Sequence, residues 1–201
     1  MPHRITVPKL EPISPLRVSP NGRHFCDRAG KPAFWLGDTQ WELFRLHTVE
    51  DAQSILADRQ AKGFNAILVM LTGVDMGRLT GAPVPYANLE GELPWIDNDP
   101  LRPNERYFQR VDTLIRLAER TGQTFVVGVY HQWHAEIITL AKARPWARWV
   151  AQRYRDVPNL IWSMYPKATD AFIPVCHELA AGLQEGDGGA HLISVHPDPS
   201  V

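Results

Sequence analysis

The sequence predicts an α/β fold: a parallel sheet of about five strands alternating with helices, entered through a β-hairpin. Three observations predict it. Between residues 33 and 196 short apolar runs alternate with segments of helical period, the signature of βα units with right-handed crossovers. The runs at 64–71 and 125–130 are almost continuously apolar, as strands covered on both faces are. Ahead of them, Pro20-Asn21-Gly22 separates two short stretches, 16–18 and 23–26, with residues that tolerate positive φ in a tight turn.

The elements follow in order. Residues 1–15 read as an irregular lead-in, interrupted by Pro2, Pro8, Pro12 and Pro15. The remainder, 16–201, reads as one domain by its length. After the hairpin, a turn at 27–30 leads into a strand at 33–37, Ala33-Phe34-Trp35-Leu36-Gly37. Thr48 and Asp51 form a capping box with Asp in place of Glu or Gln. The helix behind it carries Ala52, Ile55 and Leu56 and stops at Gly63. The strand at 64–71 is followed by a Gly- and Pro-rich loop of roughly thirty residues, a length that marks functional or disordered segments. Asn104 opens an amphipathic helix with Phe108, Val111, Leu114, Ile115 and Ala118 on one face, ended by Gly122. A strand at 125–130, a helix around 146–154, a strand at 159–164, a helix from about 170 to 184 and a strand at 192–196 complete the series. Such a series builds an open sheet or part of a barrel. A complete eight-stranded barrel takes about 250 residues, with a lower limit near 200; the hairpin and the long loop leave room for about five strands.

Composition bounds the function classes. Hydrophobic residues make up 44% and charged residues 21% of the 201, ordinary for a globular domain. The formal net charge of -1 carries no electrostatic footprint for nucleic acid. The longest apolar run, 66–71, is strand-sized and too short for a membrane span. No signal peptide is legible, which points to a cytoplasmic chain, although a processed exported chain would read the same. The two cysteines, Cys26 and Cys176, give neither a disulfide framework nor metal spacing, and both are expected as buried small hydrophobes.

The candidate site begins at Gly37-Asp38-Thr39-Gln40-Trp41-Glu42, where a strand ends. Ligands bind at the carboxyl ends of parallel strands. A carboxylate grips sugar hydroxyls, and an indole stacks on the apolar face of a sugar ring, so Asp38, Thr39 and Trp41 are expected to bind carbohydrate. The competing reading makes Asp38 a helix cap. Asp38 and Glu42, four apart, would share a face if the turn is helical, whereas Glu42 is otherwise a solvated residue. His131 and Trp133 end the third strand of the series on the same rim, and His196 ends the fifth, so all three join the expected cleft. His131, His134 and Glu136, with His196, have loose metal-like spacing, but no second motif supports a zinc site and no metal is expected. His134 reads as solvated. Tyr130, Trp162 and Tyr165 read as core filling, and Asn65 as structural. Neither a phosphate-cradling glycine loop nor a Gly-x-Ser-x-Gly elbow is present.

Several stretches together carry a resemblance. They are 18–23 through Gly30-Lys31-Pro32 to Trp35-Leu36-Gly37-Asp38-Thr39-Gln40-Trp41-Glu42-Leu43-Phe44; Asp58-Arg59-Gln60-Ala61-Lys62-Gly63-Phe64-Asn65; and Asp99-Pro100 with Arg102-Pro103-Asn104, Tyr107-Phe108 and Val111-Asp112. To these add Arg153-Tyr154-Arg155-Asp156 with Pro158-Asn159 and Ile161-Trp162, and His191-Leu192-Ile193 with His196-Pro197. In this order, over 16–201, the chain resembles the apiosidase-like glycoside hydrolase family. The resemblance implies a partial (β/α) TIM-type barrel of about five βα units behind the hairpin. It also implies action on plant cell-wall glycans, apiose-containing pectin in particular, without a cofactor.

Departures from the family pattern shape the expected activity. The family's fourth strand ends in Gly-Gly-Asp, whose Asp is the expected acid/base; in an ungapped reading that position is Lys167. The expected nucleophile, a Glu on the seventh strand, lies beyond the fifth strand reached here. A glycosidase needs two carboxyl groups, about 5 Å apart for retention and further for inversion, and a lysine does not replace one of them. Asp170, three residues later, is a substitute acid or else a helix N-cap. Three classes of function follow: a weakly active or inactive glycosidase domain, a non-catalytic carbohydrate-binding module, or a half-barrel whose open edge pairs with another copy or a complementing half.

Overall fold

A computed structural model of the chain describes residues 15–27, 29–74, 85–165 and 170–196. Two sheets form among them. The first is the hairpin of β1 (Arg17–Val18) and β2 (Phe25–Cys26), paired antiparallel. The second is a parallel sheet in the order β3 (Gly37–Thr39), β4 (Ala66–Met70), β5 (Thr124–His131), β6 (Leu160–Tyr165), β7 (Ile193–Val195). Strand order follows chain order, so each crossover moves one strand in the same direction, as in a barrel wall. Most of the lead-in, residues 1–14, lies outside the described residues, as do 75–84 of the long loop.

Helices α1 (Leu43–Leu46), α2 (Val49–Ala61), α3 (Glu105–Thr121), α4 (Leu140–Arg153) and α5 (Ile173–Asp187) join the strands. The Thr48–Asp51 capping box opens α2: Thr48 Oγ1 accepts from Asp51 N, and Asp51 accepts from Thr48 N. Asn104 caps α3, and Gly122 in the left-handed conformation ends it. No helix among the described residues is long and apolar enough to cross a membrane.

One face of the sheet is covered and the other is open. Ile67, Val69, Phe125, Val127, Leu160, Trp162 and Met164 point toward the helices and form one core with Leu56, Phe108, Leu114, Trp146, Val150 and Leu183. The alternate residues face the other way. Gly37, Thr39, Ala66, Leu68, Val126, Ser163 and Ser194 line a trough of about 370 Å³. In a closed barrel this face is the packed interior; here Thr39 and Ser194 are exposed and Leu68 and Val126 are half-buried.

Side-chain amides stitch the amino-terminal ends of the strands. Asn65, read as structural from the sequence, accepts from Leu36 N (3.0 Å) and donates to Phe34 O (2.6 Å). Gln123 Nε2 donates to Phe64 O (3.2 Å), and Asn159 Nδ2 donates to Gln123 O (2.7 Å). Further along, the buried Asp187 carboxylate accepts from Trp162 Nε1 (2.9 Å) and faces His191 Nδ1 (2.8 Å), while His191 Nε2 meets Val157 O (2.7 Å).

Some element boundaries differ from expectation. The strand expected at 33–37 forms at Gly37–Thr39. At residues 34–36 the Asn65 side-chain amide takes Leu36 N and Phe34 O, and Leu36 O accepts from Asn65 N and Ala66 N, so regular pairing with β4 begins only at Gly37. The helix expected from about 146 begins at Leu140, with Pro145 inside it. A proline within a helix removes one N–H bond and normally signals a boundary; here the packing of Ala143, Trp146 and Ala147 carries the helix through. Of the two cysteines, Cys26 is buried, whereas Cys176 is partly exposed.

Candidate carbohydrate-binding rim

The carboxyl ends of the strands bring together an aromatic group. Tyr165 closes β6 and sits at its centre. Its ring stacks on His131 (centroids 5.2 Å apart, 13° between planes) and on His196 (4.3 Å, 28°), and Trp41 meets it edge-on (5.6 Å, 69°). Trp133 packs edge-on against His131 (5.0 Å, 69°). Of the expected site residues, Trp41, His131, Trp133 and His196 therefore converge. Thr39 lies on the same inner face, lower in the trough.

A bulge puts His131 there. The β5–β6 register runs Gly128 with Ser163, then skips to Tyr130 with Met164 and His131 with Tyr165. Strand side chains alternate with period two, so counting from Val126 would send His131 to the helix side. The extra residue after Gly128 reverses that parity, and Tyr130 joins the helix-side core instead. Gly128 lies beside it, against the end of the Met70 side chain, which would have to move to admit a Cβ (2.2 Å from Sδ).

Tyr165 was not legible as a site residue. Strand periodicity alone gives it the look of core filling. The signal that points to it is its place as the last residue of a parallel strand, on the face shared with Ser163.

Asp38 borders the trough too, but it pairs with Ile67, whose side chain packs toward the helices, and its carboxylate is taken up by a helix residue. Its Oδ2 accepts from Arg59 Nε of α2 (2.5 Å) and from Gln40 Nε2 (3.0 Å). Partial burial pushes its carboxyl up, but bonds from Gln40, the Thr39 backbone and Arg59 outweigh that and hold it below the usual carboxylate range. A general acid needs the opposite shift. Asp38 also caps no helix, because it lies within β3.

Glu42 is not solvated and shares no face with Asp38. Its Oε2 accepts from the buried Arg45 Nε (2.7 Å) and its Oε1 from Val74 N (3.0 Å). Arg45 Nη1 donates to Ala87 O (3.0 Å). This pair ties the loop after β4 and the segment near residue 87 to α1. Gly73, at φ 72°, fits against it; a Cβ would lie 2.6 Å from both Arg45 Nε and Glu42 Oε2.

His134 is also corrected: it is fully buried, among Tyr86, Trp95 and Tyr130. Burial and the neighbouring His131 bring it down to about 3, against a pull from the Gly73 backbone. The two histidines form a reciprocal cap over the turn Gln132–His134. His131 N donates to His134 Nδ1 (3.2 Å), and Trp133 N donates to His131 Nδ1 (3.2 Å). Their three-residue spacing, which resembled a metal motif, is thus the spacing of a capping box. Glu136 is exposed, and no set of three His, Cys, Asp or Glu side chains among the described residues could hold a metal ion.

Asp170 is exposed and opens the short turn Asp170–Phe172 ahead of α5, whose N-cap is Phe172. The N-cap reading of Asp170 therefore fails. Lys167 lies outside the described residues.

A wall of parallel βα units with side chains gathered at its carboxyl end is the architecture of part of a (β/α) barrel, and comparison with known proteins places the chain more closely. Residues 19–201 match the model of the apiosidase-like catalytic domain, and the chain belongs to that family. Among solved structures it is similar to a glycoside hydrolase at 25% identity and TM-score 0.81, covering 94% of this chain and 42% of the other. A glycoside hydrolase family 5 protein from Bacteroides vulgatus matches at 22% identity and TM-score 0.81, covering 94% and 41%. A family 5 mannosidase from Rhizomucor miehei shares the fold at 17% identity and TM-score 0.66, covering 92% and 56%. The chain thus spans less than half the length of the first two. No curated protein matches it.

Proposed function

We propose that this chain recognises plant cell-wall glycans, pectic and apiose-containing ones among them, through the rim of Trp41, His131, Trp133, Tyr165 and His196. The observation that carries this reading is the convergence of these rings at the carboxyl ends of the strands, with the Trp133 indole 49% exposed. The membership in a glycosidase family supports the ligand class.

The chain on its own binds such glycans and hydrolyses them weakly or not at all. Hydrolysis needs a carboxyl pair across the bond. Around the rim, Asp38 is committed to Arg59 and Glu42 to Arg45. Calorimetry with a panel of pectic oligosaccharides tests binding: saturable heat is expected, lost in Trp133→Ala. A panel without binding ends the proposal. A reducing-sugar assay tests catalysis. Turnover that vanishes in Asp38→Asn would overturn the weak-activity reading; the ion pair with Arg59 predicts instead an unchanged affinity and a stability loss of about 1 kcal/mol or less.

A second reading rests on the open inner face. Thr39 and Ser194, exposed where a closed barrel is packed, favour association with another copy or a complementing half-barrel. Sedimentation decides, since a monomer at high concentration counts against association with another copy.

A further inference from the structure

We propose that His131 and His134 are positioning residues that hold the Trp133 indole as the face on which a sugar ring stacks; the ligand, though not the positioning, rests on the carbohydrate reading above. The rings of the rim are unequal. Both faces of Tyr165 are covered by the imidazoles of His131 and His196. Trp41 is half-buried and turned edge-on to Tyr165. Trp133 is the exposed indole of this group, and a stacking platform needs an open face and a fixed orientation.

The fixed orientation comes from an unusual cap. Capping boxes are normally built from Ser or Thr with Glu or Gln. Here two imidazoles do the work, each offering the lone pair of an unprotonated Nδ1 to a backbone N–H. His134 is the deeper anchor, fully buried and wedged between Tyr86 and Trp95. His131 is the upper one, clamped between Trp133 and Tyr165. A third tether holds the platform from outside the turn, where Tyr86 Oη donates to the Trp133 carbonyl (3.3 Å). Trp133 is therefore held at its backbone N–H, at its C=O and through its ring contact with His131, and about half of the residue stays open to solvent.

The chemistry gives a sharp test, because an Asn Oδ1 can replace an imidazole Nδ1 as acceptor and a Leu cannot. The protein is labelled with 5-fluorotryptophan, and the Trp133 resonance is assigned with Trp133→Phe. Calorimetry uses the pectic oligosaccharide that binds the wild type most tightly. His131→Leu and His134→Leu are expected to shift or broaden the Trp133 fluorine line and to weaken binding about tenfold or more, the scale of one lost hydrogen bond. His131→Asn and His134→Asn are expected to restore the line and most of the affinity. If His134→Leu does not fold, the His131 pair and the milder Tyr86→Phe carry the comparison. A Trp133 line unmoved by the leucine variants, or equal losses in Leu and Asn variants, overturns the proposal. A line that responds as described in a protein that binds no oligosaccharide supports the positioning role and sinks the carbohydrate reading alone.

Discussion

Gly73 shows how much of the rim rests on one backbone conformation. Its φ of 72° suits glycine, and its missing Cβ makes room for the Glu42–Arg45 pair. Gly73→Ala adds strain to a clash with a buried ion pair, and a loss of about 2–4 kcal/mol is expected in denaturant unfolding. His134 makes a second residue-scale prediction. It is held neutral in the fold, down to about 3, while the unfolded chain takes up a proton below about 6.5. Its contribution is therefore complete above pH ~6.5 and is lost as pH falls toward 3, at up to about 1.4 kcal/mol per pH unit. Measured between about pH 6.5 and 5.5, where carboxylates are almost fully ionised in both states, the stability of His134→Asn should fall less steeply than that of the wild type. Parallel slopes would mean that the imidazole is not held neutral. Neither role was legible in the sequence. A lone glycine in a long loop, or a histidine three residues past a strand's end, carries no mark of what folds over it.

At the scale of elements, the α4–α5 pair is the tightest contact between helices. Gly182 and Gly186 of α5 face Ala147 and Ala151 of α4. A Cβ on Gly182 would stand 2.3 Å from Arg144 O, and one on Gly186 would stand 2.5 Å from Arg148 O. In an isolated helix, Gly→Ala gains up to about 1 kcal/mol. Here the backbones are in contact, so Gly182→Ala should instead lower the thermal midpoint, with a net cost of about 2 kcal/mol; a raised midpoint would show that the helices can separate freely. The same glycines explain why the helix end expected near 184 falls at Asp187. Read alone, Gly186 looks like the start of a turn, but close packing gives it a helical role. The β5 bulge is the other element-level feature that patterning misses. Alternation is legible; the point where it slips by one residue, between Gly128 and Tyr130, leaves no mark in the apolar pattern.

For the whole molecule, the order of strands, the direction of crossovers and the hairpin were legible because each depends on local periodicity and turn chemistry. The rim was legible in part. Trp41, His131, Trp133 and His196 could be placed by counting strand ends, whereas Tyr165 and the diversion of Asp38 to Arg59 depend on which face each side chain takes. The two ends of the sheet are also built differently. At the base, Asn65, Gln123 and Asn159 lash neighbouring strands together, and Asp187 and His191 bolt the last turn to them. At the top, contacts among rings dominate. In deuterium-exchange mass spectrometry the fragments carrying 123–126 and 159–162 should therefore stay dark for the longest times. Those carrying 131–134, bonded through the two imidazoles, should label later than exposed loop segments but sooner than the base, and slow further when an oligosaccharide is added. The sheet is thus anchored at its base, and its binding end is where an added oligosaccharide should leave its mark.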